Sequence, residues 1–156
     1  MSDPVRIQIV NLNEFKAQLA ALAEKGRGKT IVTALRAGAL VVRNAAKENV
    51  HRVLNTRGKG TGNLARSIHI EVESEELDKA AVDIGTDLVY APVHEFGAII
   101  TPKKAKMLHW VENGIDIWAH AVQIPARPYL RPAMDENVQA IQDAVTEALR
   151  QLLGAT

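Results

Sequence analysis

Beyond Thr30 the residues Leu35, Ala39, Val42, Ala46, Val50 and Val53 recur three or four apart, the spacing that lines one face of an α-helix. A stripe this long predicts a helix over residues 31–54 with Thr30 as its cap. Such a helix is stable only when a sheet or other helices cover its apolar face. Arg36, Arg43 and Lys47 fall on the opposite face, and Ala37, Gly38, Ala39, Ala45 and Ala46 are small enough to let another backbone approach. Gly38 weakens the helix somewhat in exchange.

The rest of the chain supplies partners for that helix. Residues 5–10 alternate, with Val5, Ile7 and Ile9 opposed to Arg6 and Gln8, which predicts a short strand. Asn13 can cap a first helix over 14–25, in which Phe15, Leu19 and Leu22 keep helical spacing until Gly26 stops it. Strands expected over 68–72 and 80–85 pair as a hairpin through an acidic turn. A second hairpin is predicted over 108–111 and 115–122, because Asn113-Gly114 between two apolar runs is a strong turn signal. Met134, Val138, Ile141, Val145, Leu149 and Leu152 make residues 132–153 an amphipathic helix ending before Gly154. The order strand, helices, hairpins, helix predicts an α+β fold, an antiparallel sheet packed on one face by the long helix and the C-terminal helix. With 156 residues and no break in composition, residues 1–156 read as a single domain.

Between the long helix and the first hairpin, residues 55–63 combine Gly58, Gly60 and Gly62 with Arg57 and Lys59 and hold no apolar side chain. A loop with nothing to bury is expected to be mobile over 55–62. It also belongs to a charge pattern. From residue 25 to 66 every charged side chain is basic except Glu48, and from 71 to 87 every one is acidic except Lys79. Net charge is only +1, which argues against a general nucleic-acid binder, so the segregated charges read either as two solvated faces or as a pair of complementary surfaces. Arg57 and Lys59 on one side, with Glu75 and Glu76 on the other, are the candidates for such a contact.

Chemistry is hard to find. The chain has no cysteine, which removes disulfides, thiolate nucleophiles and cysteine zinc sites and fits assembly in a reducing cytoplasm. No stretch approaches the roughly 20 apolar residues that span a bilayer, so a soluble, unexported protein with no membrane partner is expected. Residues 26–30, Gly-Arg-Gly-Lys-Thr, resemble the end of a phosphate-binding loop. Ala23 stands where the first glycine is required, however, and a helix rather than a strand leads in. A helix stop, a short basic loop and a helix start account for them. His94-Glu95 opens like a zinc-protease helix but Ala98 stands where the second histidine belongs. His109 and His120 could face each other across the second hairpin, yet two histidines alone make a poor metal site. Ser2, Ser67 and Ser74 lack the flanking glycines of a nucleophile elbow. The expectation is no catalysis and no cofactor.

Prolines 125, 128 and 132 fix their own φ and push Ile124, Arg127 and Arg131 toward extended conformations. Residues 124–132 therefore predict a stiff strap from sheet to helix, with Tyr129 and Leu130 plugging the interior and Arg127 and Arg131 available to carboxylates, carbonyls or a second subunit. Residues 90–97 read as a strand with a buried Phe96 and a bend at Gly97.

Three runs in order, Thr-Gly-Asn-Leu-Ala-Arg-Ser-Ile at 61–68, Tyr-Ala-Pro-Val-His-Glu-Phe-Gly at 90–97 and Ile-Pro-Ala-Arg-Pro-Tyr-Leu-Arg-Pro-Ala at 124–133, resemble the tail-completion (neck) proteins of long-tailed bacteriophages, including the Mu-like virion morphogenesis proteins. Tyr129 replaces the commoner phenylalanine of that pattern. The resemblance covers about residue 35 to the C-terminus. It implies a structural virion protein at the head-tail junction, a tail terminator or completion protein that forms a homo-oligomeric, hexameric ring. Its implied neighbours are the tail tube protein and a head-side connector or stopper, with genomic DNA passing through. The competing reading from charge alone is a DNA-binding accessory protein using the basic 25–66 segment, with Arg36, Arg43, Lys47, Arg57 and Lys59 on phosphates. A small hydrolase using His94 and Glu95 ranks below both.

Overall fold

The computed structural model describes residues 5–7, 24–54, 62–75 and 80–153, with side chains from residue 28 onward except that of Glu75. Its axis is helix α1, Glu24–Leu54. The end at Leu54 matches the periodicity, but the start does not. The helix runs through Gly26 and Gly28, so neither the expected stop nor the basic loop exists, and Thr30 is an interior residue rather than a cap. A glycine costs only about 1 kcal/mol inside a helix, and burial of Ile31, Val32, Ala34 and Leu35 just beyond it offsets that cost. The first helix expected over 14–25 falls, apart from its last two positions, outside the described residues, as do most of the 55–62 loop and the acidic turn.

Leu35, Ala39, Val42, Ala46 and Val50 of the predicted stripe are buried and Val53 is half-buried, so the stripe is the face on which the core assembles. Arg36 is exposed, while Arg43 and Lys47 are half-buried. Beneath the stripe lies a three-stranded antiparallel sheet in the order β1 (Val5–Ile7), β3 (Ala80–Gly85), β2 (His69–Glu75). Central β3 sends Val82 and Ile84, both fully buried, against α1. β2 and β3 pair as expected, from His69↔Gly85 to Glu75↔Ala80, with a register shift between Val72 and Ser74. A short helix, α2 (Asn63–Ser67), precedes β2 and buries Leu64 and Ala65.

Further along, the sheet component divides. β5 (Leu108–Glu112) and β6 (Ile115–Ala119) form the predicted hairpin, with Asn113 at φ 52° and Gly114 at φ 81°, the two positive values that a tight primed turn demands. The expected strand over 115–122 is interrupted at His120 and Ala121. Beyond them β7 (Val122–Ile124) pairs instead with β4 (Ala98–Ile100). His109 consequently lies opposite Trp118 rather than His120: the rings stack at 4.2 Å, and the His109 Nε2 lies 2.6 Å from Asp116 Oδ1.

The C-terminal helix is also two pieces, α4 (Leu130–Asp135) and α5 (Val138–Leu153), with a turn at Glu136 and Asn137. α5 buries Ile141, Val145 and Leu149 on α1, whereas Val138 and Leu152 at its ends are partly exposed. The close approach foreseen at the small residues of α1 occurs at Gly38: a Cβ there would lie 2.7 Å from Val145 Cγ2 and 3.1 Å from Ile141 Cγ2. The architecture is α+β, a long helix and a C-terminal helix with small antiparallel sheets.

Candidate functional site

Residues 90–97 are not a strand. Ala91–Phe96 forms helix α3, with Pro92 in its first turn, where the missing N–H costs nothing. Strand geometry would have put His94 and Phe96 on one side. Helical geometry instead turns Ala91 and Glu95, four apart, toward the interior, so Glu95 is buried and Phe96 is 59% exposed. Gly97 ends the helix at φ 73°, ψ 168°. This conformation is essentially restricted to glycine, and the expected bend is there.

A buried carboxylate needs donors, and the strap supplies three. Glu95 Oε2 accepts the backbone N–H of Tyr129 at 2.8 Å and of Leu130 at 3.0 Å, and Oε1 accepts that of Arg131 at 3.0 Å. These are the amides of the residue that caps α4 and of its first two residues. Its start is therefore capped by a side chain from another helix, with negative charge at the positive end of the dipole. This capture explains why the helix begins at Leu130 rather than at Pro132. The Arg127 N–H donates to the His94 carbonyl at 2.7 Å. From the other side, Asn49 Nδ2 donates to the Tyr129 carbonyl at 3.1 Å, and Arg52 Nη2 holds the Asn49 Oδ1 at 2.7 Å. The strap is thus fastened by α1 and α3 together.

Tyr129 and Leu130 are buried, while Arg127 and Arg131 are exposed, as expected, but Arg131 is not extended before Pro132: it lies in α4, whose capture by Glu95 overrides the local preference. Burial, reinforced by Glu95 and Tyr90, pushes the Tyr129 phenol up to about 12. His94 contacts Tyr90 edge-to-face at 5.9 Å. Desolvation, helped by Arg127, lowers its pKa below the ordinary histidine value, and its Nδ1 is buried without a hydrogen-bond partner among the described residues. Glu95 is committed to backbone amides and is not poised beside His94 as a base. α3 ends before Ala98, so the zinc-protease spacing has no helix to sit on. Among the described residues no group of three or more His, Asp or Glu could hold a metal ion, and no helix is long and apolar enough to cross a membrane.

Of the candidate contact residues, the structure gathers Arg127, Tyr129, Leu130 and Arg131 on one strap. Arg57, Lys59 and Glu76 lie outside the described residues, and Glu75 is described by its backbone only. Sequence reasoning missed Glu95, Asn49 and Arg52 as the residues that hold the strap, because no spacing within one segment reports a bond to another. It also missed how much apolar surface stays uncovered. Val111 is 60% exposed, Ile115 67% and Trp118 59% on the β5–β6 hairpin, and Ile99 and Val89 stand out elsewhere. The available signal was Trp110-Val111 and Ile117-Trp118, adjacent apolar pairs that put hydrophobic groups on both faces of a two-stranded ribbon.

The buried polar residues of this fold tie backbone segments together, and its aromatic and aliphatic side chains crowd the β5–β6 hairpin. The chain belongs to the phage virion morphogenesis family, whose model matches residues 33–150, from within α1 to within α5. No curated protein and no solved structure matches it. The protein is accordingly a bacteriophage component of virion morphogenesis, in agreement with the resemblance carried by its three motifs.

Proposed function

We propose that this chain is a tail-completion protein, a tail terminator whose subunits close into a ring of six at the head-tail junction. The ring, assembled in the host cytoplasm, joins the tail tube protein to a head-side connector or stopper and lets genomic DNA through without reading its sequence. Within a morphogenesis family, the observation that carries this reading is the exposed apolar surface of Val111, Ile115 and Trp118. Apolar exposure of this kind, with Val111 and Trp118 on one face of the ribbon and Ile115 on the other, marks a protein interface. A closed ring needs two different, complementary surfaces on each subunit. The proposed charge contact sets Arg57 and Lys59 against Glu75 and Glu76 of the next subunit. Because Tyr129 and Leu130 are buried in their own subunit, the strap offers a neighbour Arg127 and Arg131. Sedimentation velocity with negative-stain microscopy, on the protein alone and mixed with the tail tube protein, tests the reading. Closed six-fold rings are expected, and a monomer under every condition would refute it.

A further inference from the structure

Among the described elements, the β5–β6 hairpin packs on itself and only slightly on any other. An isolated two-stranded hairpin is marginal in water at best, and this one is apolar on both faces. Trp110 pairs with Ile117 on one face, Val111 and Trp118 occupy the other, and Ile115 stands beside the turn. Exposed Lys103, Lys104 and Lys106 precede it, with Glu112 at its tip.

Elsewhere on the same chain is an open groove of about 1140 Å³, larger than the roughly 300–1,000 Å³ of small-molecule pockets and suited to a piece of polypeptide. Exposed Asp87 and Glu71, the latter 3.1 Å from His69, line it from the β2–β3 side, and Val89 and Phe96, 93% and 59% exposed, form an apolar rim. Arg131 lines it as well, and no residue of 103–119 does. Arm and groove are therefore distinct surfaces whose properties match: apolar tip to apolar rim, basic root to acidic wall, Glu112 to Arg131.

We propose that the β5–β6 hairpin is an arm that seats in this groove on the next copy of the chain, an inference that rests on the ring reading and names its contact. Because arm and groove differ, the contact is heterologous and propagates around a ring instead of stopping at a dimer. Apolar burial of Ile115 and Trp118 supplies the affinity, and the charges set the register.

The chain contains no cysteine, so thiols can be placed at will. Ile115→Cys and Val89→Cys, both at exposed positions, are prepared separately, mixed and treated with a short bifunctional thiol crosslinker. A covalent dimer is expected from the mixture and from neither variant alone, and a ladder of oligomers from the chain carrying both. Crosslinking of Ile115→Cys with itself, or none in the mixture while both variants still sediment as rings, overturns the arm and leaves the ring standing. A wild type that never exceeds a monomer overturns the ring reading and the arm with it. Independently, Lys103→Glu with Lys104→Glu is expected to weaken association by roughly three- to tenfold, and Glu71→Lys with Asp87→Lys in the same chain to recover most of it. Unchanged association in every charge variant removes the charge match from the proposal.

Discussion

Glu95 and Leu130 stand thirty-five residues apart, yet the carboxylate of the first accepts the backbone N–H of the second at 3.0 Å. Bonds to Tyr129 and Arg131 complete the set. The bond joins two of the three motifs that carried the resemblance, so the acid of the second motif is the helix cap of the third.

Glu95→Ala is therefore expected to destabilise the fold by about 3 kcal/mol, since three helix-start amides lose a charged acceptor and buried donors are costly to leave unpaired. Glu95→Gln keeps an acceptor oxygen and is expected to lose roughly half as much. Urea unfolding measures both. A loss below about 1 kcal/mol for the alanine variant would show that the cap is dispensable.

Two glycines with positive φ allow strain and crowding to be separated. At Gly97 a Cβ would lie 2.9 Å from both Ala126 N and Ile124 O, backbone atoms that cannot step aside, whereas at Gly114 nothing lies within 4 Å. Gly114→Ala is expected to cost about 1 kcal/mol from backbone conformation alone. Gly97→Ala is expected to exceed it by at least about 2 kcal/mol. Equal losses in thermal or urea melts would contradict the close packing of α3 against the strap.

Gly38→Ala sets helix propensity, a gain of about 1 kcal/mol, against a Cβ 2.7 Å from Val145 Cγ2, an overpacking cost of about 1–3 kcal/mol. In the wild type the substitution is expected to destabilise. In a Val145→Ala background, where that methyl is gone, it is expected to be neutral or stabilising. A double-mutant cycle by chemical denaturation reads the coupling, and additivity would mean that α1 and α5 do not meet there.

His69 and His94 pull the pH dependence of stability in opposite directions. A hydrogen bond to the Ser67 carbonyl, then contact with Glu71 and the charges of Asp87 and Glu71, raise His69 despite some desolvation. Its contribution is complete below the unfolded value of about 6.5 and is lost as pH rises through the higher folded value. Desolvation and Arg127 lower His94, so its contribution is complete above about 6.5 and is lost as pH falls through the lower folded value. In urea midpoints across pH, His69→Gln should flatten the alkaline limb and His94→Gln the acid limb. Unaltered slopes would count against these environments.

The buried face of α1 from Leu35 to Val50, the turn at Asn113-Gly114 and the stiff path through Pro125 and Pro128 were determined by the sequence itself. Each follows from side-chain period or steric restriction within a few residues. Tertiary structure decided the rest. α1 passes through Gly26 because neighbouring apolar side chains find cover, not because local propensity favours it. Glu95 turns inward and Phe96 outward because the strap brings three unpaired amides to that side of α3, and a buried charge goes where donors are. The hairpin's side chains were legible as apolar, but their exposure was not, since that depends on which surfaces the remaining chain leaves uncovered. Local geometry is a property of neighbours in sequence, whereas the partner of a carboxylate, an amide or an apolar face is a property of neighbours in space.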